Sequence, residues 1–304
     1  MKLFKFTPIL ASLLIYSHLI AKDYTVGFAQ DTMGNDWRIA QVREVENGFK
    51  DKKNIKFFYT NGKSNTAIQI MNIEDMIEKK VDLIISSPRD AKVMTPVIEK
   101  AYDQNIPVIL LSRTISSDKY KIFIHPKNRL IAKQSAQFIA KKLNGKGNIL
   151  ILQHTPTSTP AIRRTEGFLD EIKKFPNIKI VAIKVANSLR NKAILKTEEA
   201  INEGLKFDAI YAQSDSMAIG AIMALKKNGL DPKKIIITGI DYISEARELI
   251  KKGELDASYI YHTGGAEGVK TAMKILNGED VPKEIIIDSM EITIKNVDEI
   301  EPIF

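Results

Sequence analysis

Two stretches decide the fold: VDLIISSPRD at Val81–Asp90 and FDAIYAQSDS at Phe207–Ser216. Each has an Asp opening a continuous apolar run that ends in a polar cluster. Each is followed about 25 residues later by a second such run with a polar end, Pro107–Arg113 and Ile235–Asp241. Working outward, β-rich runs fall at Tyr24–Ala29, Ile55–Tyr59, Asp82–Ser86, Pro107–Leu111, Asn148–Gln153, Ile178–Val185, Asp208–Ala212, Ile235–Ile240 and Ala257–Tyr261. Segments of helical period begin near Asp36, Thr66, Ala91, Asn128, Ala161, Asn191, Asp215, Ser244 and Gly265. Such alternation predicts parallel βαβ units, and runs of unbroken Ile, Val and Leu predict strands covered on both faces. The expectation is an α/β protein of two doubly wound, Rossmann-like parallel-sheet lobes, one for each duplicated half. In open parallel sheets ligands bind beyond the carboxyl ends of the strands. Gln30, Ser87, Arg89, Ser112, Arg113, Gln213, Ser214, Asp215 and Asp241 stand at those ends.

The length of 304 residues fits two lobes better than one domain. A formal charge of +8 is spread among interspersed Asp and Glu, which predicts solvated helix faces and no nucleic-acid partner. With no cysteine, disulfides, thiolate metal sites and cysteine nucleophiles are excluded. Lys2 and Lys5 precede an uncharged stretch from Phe6 to Ala21, the pattern of a signal peptide at 1–21 cut after Ala21, with an uncleaved membrane anchor as the alternative. Export to the periplasm follows, without the cysteine that a lipid anchor at the cut needs.

Catalytic signatures are missing. No phosphate loop, nucleophile elbow, dinucleotide fingerprint or His-Glu-x-x-His pair occurs. His125, His154 and His262 each stand alone and read as solvated or hydrogen-bonded loop residues. No catalytic residue, metal or cofactor is expected.

Five motifs then converge. Val26–Gln30 with Asn35–Arg38, Ile106–Arg113, Arg163–Phe168, Tyr211–Ala221 and Gly239–Asp241 together resemble the periplasmic sugar-binding proteins of the ribose- and galactofuranose-binding kind, over nearly the whole chain after the leader. The resemblance implies the type I periplasmic binding protein fold, with two lobes joined by a three-strand hinge that crosses near His125–Pro126, Tyr261–His262 and Asp288–Ser289. The N-terminal lobe would hold residues 22–125 and 262–288, and the C-terminal lobe 126–261 and 289–304.

It further implies a ligand site. Trp37 matches a position whose aromatic face stacks on a sugar ring; Arg38, Arg113 and Arg164 match binding arginines, and Asp215 and Asp241 match binding carboxylates. Asn35 and Arg89 join them from loops at the same edge. The pattern also departs from the ribose type: Ser112 stands for an Asp, Ser214 for an Asn, Ser188 for a stacking Phe and Tyr261 for a Gln. A cleft with fewer carboxylates and four arginines suits a furanose, a modified or acidic sugar, or a small non-sugar metabolite. The expected function is capture of a small polar ligand, a sugar in the first place, by a monomer that delivers it to a membrane ABC permease. A subunit that docks on a sensor receptor such as a histidine kinase is the alternative.

Overall fold

The computed structural model describes residues 22–304, and the expected leader at 1–21 lies outside the described residues. The first layer is built from β1 (Tyr24–Gln30), α1 (Asp36–Phe49), β2 (Ile55–Asn61), α2 (Thr66–Glu78), β3 (Leu83–Ser86), α3 (Thr95–Asp103), β4 (Val108–Leu111) and β5 (Ile122–Pro126). The second follows with α4 (Asn128–Lys142), β6 (Lys146–Gln153), α5 (Thr159–Ile172), β7 (Asn177–Val185), α6 (Arg190–Asn202), β8 (Ala209–Ala212), α7 (Asp215–Lys227), β9 (Ile236–Thr238), α8 (Ser244–Lys251) and β10 (Ala257–Tyr259). The chain then returns through α9 (Gly265–Leu276) and β11 (Glu284–Ile287) to the first sheet, and ends with β12 (Glu291–Thr293) in the second.

One sheet has the order β2-β1-β3-β4-β5-β11 and the other β7-β6-β8-β9-β10-β12. The two orders are the same doubly wound pattern, so the duplication legible in the sequence is a duplication of topology. The sheets differ only at the last strand: β11 runs parallel to β5, whereas β12 runs antiparallel to β10. The central strands β3, β4 and β8 are buried along their whole length. Helices on both faces require this, and each sheet accordingly carries an apolar cluster on either side. Val42, Val45 and Phe49 of α1 and Val269 and Ala272 of α9 cover one face of the first sheet, while Ile73 and Met76 of α2 cover the other.

Local chemistry fixes the helix ends that point at the interlayer cleft. Asn35 caps α1, its side chain accepting from the Arg38 amide. Ser214 caps α7 by accepting from the Met217 amide, and Gly229 past its end takes the left-handed φ of 72°. Capping residues at strand ends thus become the cleft walls.

Candidate functional site

The carboxyl ends of the two sheets face each other across a narrow cleft whose free volume is about 30 Å³, so the two walls stand nearly in contact. Loops after β1 and β4 with the start of α1 form one wall, and loops after β6, β7, β8, β9 and β10 with the start of α5 form the other.

On the first wall the arginines meet a carboxylate. Asp31, the residue after β1, is 1% exposed and accepts from Arg113 Nη1 at 2.8 Å. Arg38 Nε lies 3.3 Å from its Oδ1, and Arg89 Nη1 3.6 Å from its Oδ2. Burial alone would raise the Asp31 carboxyl, but Arg113, Arg38 and Arg89 outweigh it and hold it below its ordinary value. Arg38 is drawn down to about 9 by burial and by Arg113, and stays protonated at neutral pH. Its Nη1 donates to Ser87 Oγ at 2.7 Å and Ser112 Oγ at 3.3 Å. Ser112 itself has a φ of 59°, a region that costs a non-glycine residue energy and that here turns β4 into the cleft.

The second wall is organised around Asp241. Its carboxylate lines the cleft and has no side-chain donor among the described residues. Burial and the neighbouring Asp215 push its pKa well above the usual carboxylate range, against the pull of Arg164 and Arg38. Asp241 has φ 138° and Tyr242 has φ 60°, a strained pair. Asp215 holds that turn: its Oδ2 accepts from the amides of Tyr242 at 2.6 Å and Ile243 at 3.1 Å, and Ser258 Oγ donates to it as well. A Cβ at Gly239 would sit 2.1 Å from Asp215 Oδ1, so only glycine lets the strand pass the carboxylate. Arg164 reaches in from α5, donating through Nε to Asn128 at 2.8 Å and through Nη1 to the Gln213 carbonyl, with its guanidinium 4.5 Å from the Tyr261 ring.

Residues 26–280 match the periplasmic binding protein domain family. The chain belongs to the periplasmic binding proteins. This binding protein is 35% identical over 250 residues to the galactofuranose-binding protein YtfQ of Escherichia coli K12, covering 80% of this chain and 78% of YtfQ. Among solved structures it resembles the fructose-binding periplasmic domain of the hybrid two-component system BT1754, with a TM-score of 0.86, 33% identity, and 91% and 92% of the two chains covered. A Mycobacterium smegmatis protein in complex with β-D-fucofuranose superposes with a TM-score of 0.86 at 26% identity, covering 91% of this chain and 93% of that one. The two-lobed type I fold expected from the motifs is therefore this binding protein's fold.

Six of the eight residues singled out from the binding protein's sequence line one cleft: Asn35, Trp37, Arg38, Arg113, Arg164 and Asp241. Trp37 is 5% exposed, and its Nε1 donates to the Tyr261 carbonyl at 2.8 Å. Asn35 Nδ2 donates across the cleft to the Ser188 carbonyl at 2.7 Å. The other two stand behind the cleft wall. Asp215 does not line the cleft, because its oxygens are turned to the backbone of the Asp241 turn. Arg89 does not line it either; its guanidinium approaches Asp31 instead. The further lining residues outside the eight include Asp31, which supplies the carboxylate that Ser112 lacks, and His154, read as a lone loop histidine but buried against Arg113. The only signal for either was its place, the first residue beyond a strand that begins its sheet.

Proposed function

We propose that this binding protein, exported by its leader, captures a small sugar of furanose or modified type in the periplasm and delivers it to an ABC importer by hinge closure. The observation that carries the reading is one polar cleft walled by Arg38 and Arg113 from one sheet and by Arg164 and Asp241 from the other. The names of YtfQ and of the fucofuranose complex support a furanose.

In this reading the lobes comprise 22–125 with 262–288, and 126–261 with 289–304, and rotate about the three crossings. Asn35, Trp37, Arg38, Arg113, Arg164 and Asp241 touch the ligand, while Asp215 and Arg89 position those that do. A ligand bound by both walls at once shifts the population toward the closed form. Contacts between walls favour the same form: the Ala91 amide donates to the Thr157 carbonyl at 3.0 Å, and the Thr114 amide to Thr159 Oγ1 at 3.1 Å. The protein works as a monomer and performs no chemical step on what it binds.

A thermal-shift screen with D-ribose, D-fructose, L-arabinose and a galactofuranose source tests the reading. A ligand at a hundred times its Kd should stabilise the fold by about 2.7 kcal/mol. No shift with any sugar overturns it. The likeness to a two-component sensor domain favours a second reading, in which the loaded protein docks on a receptor kinase. Stimulation of a reconstituted cognate permease ATPase decides for transport, and stimulation of a kinase for sensing.

A further inference from the structure

His154 and Arg113 confront each other across the cleft in a way the wall residues alone cannot satisfy. The Thr155 amide donates to His154 Nδ1 at 2.6 Å. A backbone amide can only donate, so Nδ1 carries no proton, and the neutral ring must carry it on Nε2. The ring is neutral: burial and then Arg113, Arg164, Arg38 and Arg89 press its pKa well below the ordinary histidine value. Nε2–H therefore points toward Arg113 Nη2, 3.4 Å away. A guanidinium nitrogen is also only a donor, so two donors face each other with no acceptor between them. Arg113 Nε is likewise buried without an acceptor. Arg113 is 1% and His154 6% exposed, so bulk water does not resolve the conflict.

We propose that the ligand is an acidic sugar, an aldonate or uronate, whose carboxylate seats between His154 Nε2 and Arg113 Nη2 while its hydroxyls reach Asp241. This rests on the sugar-capture reading and narrows its class. A carboxylate brings acceptor oxygens without a proton, next to several guanidiniums. A hydroxyl there could satisfy the two donors only by giving its own proton away: His154 Nδ1 is filled by the Thr155 amide, the Asp31 oxygen nearest Arg113 is taken by its Nη1, and the second Asp31 oxygen faces Arg38 Nε at 3.3 Å. At the opposite end Asp241, which has no side-chain donor among the described residues, faces the sugar hydroxyls, and this gives the direction of binding.

Calorimetry on the full binding protein with D-galactonate and D-galacturonate against D-galactose tests the assignment. An acid should bind at least about tenfold tighter than galactose, the scale of a charge-assisted hydrogen bond. His154→Ala should collapse that ratio, and His154→Gln, which keeps a donor near Nε2, should restore part of it. If neutral sugars bind and the acids do not, the acidic class is overturned while sugar capture stands. If an acid binds and His154→Ala leaves the ratio unchanged, the seat between His154 and Arg113 is overturned. If neither acids nor neutral sugars bind, the sugar reading falls and this inference with it.

Discussion

Asp31 and His154 occupy equivalent places in the two sheets, the first residues beyond β1 and β6, yet they do opposite things. Asp31 pairs one carboxylate with the three arginines of its own wall, so Arg38, Arg89 and Arg113 are oriented before any ligand arrives. His154 adds a donor to a wall already rich in them, and the charged pair beside it is unfinished: Asp241 has no side-chain donor among the described residues, and Asp215 is turned to the backbone. The difference teaches that a duplicated topology does not duplicate electrostatics. One wall is a preorganised clamp, and the other is completed by what binds.

The comparison breaks hardest at Asp31. Asp31→Asn leaves buried guanidiniums without their counter-ion and should cost about 3–5 kcal/mol of stability, read as a lower urea midpoint. Because the folded carboxyl sits below its ordinary value, the stability it contributes is present above the unfolded pKa and is lost as pH falls through the folded one. A midpoint equal to the parent's would show that the first wall is not clamped from within.

Asp241→Ala should act on binding rather than on folding. Ligand affinity should fall by about 1–3 kcal/mol, while the empty protein melts no lower than the parent, since a buried carboxyl that no side chain of the described residues donates to is removed. Calorimetry beside differential scanning separates the two effects.

Asp215→Asn should lower stability by about 1–2 kcal/mol through the Tyr242 and Ile243 amides, and the loss should depend on pH. Burial holds the folded carboxyl up at about 6, partly offset by Ser258 and the two amides. The folded state therefore binds the extra proton between the unfolded value and about 6, so its contribution is full below the unfolded pKa and fades as pH rises through 6. Melting curves of parent and variant should stand furthest apart near pH 4 and approach each other by pH 7.

The smallest effect is expected at Arg190, which bridges Glu245 at 2.6 Å and Asp36 of the facing wall at 3.6 Å. It is a half-exposed pair. Arg190→Ala should weaken ligand binding by less than about 1 kcal/mol, and the difference should shrink in high salt.

Much of this was legible in the residues. Nine strands and nine helices were placed from unbroken apolar runs and capping residues, and Arg113 and Asp241 were picked out because they end such runs. β5, β11 and β12 were not. Ile122–Ile124 is a run of three between Lys121 and His125, and Glu284–Ile287 and Glu291–Thr293 are short and partly exposed, so their period carries little signal. They form strands because a neighbour far along the chain offers them an edge: β11 pairs with β5, placing Glu284 opposite Phe123. The orientation of Asp215 was out of reach for a related reason, since an Asp at a strand end can serve a ligand or a backbone turn, and only the fold shows which donors come within reach.

The sequence by itself determined the alternation of strands and helices, the duplication, and the identity of the charged residues at the strand ends. These depend on local period and capping, which the chain carries residue by residue. Which charge meets which was decided by the tertiary structure. Asp31 finds Arg113 across 82 positions and His154 faces it across 41, and a Coulomb or hydrogen-bond partner is chosen by distance in space, which no local pattern encodes.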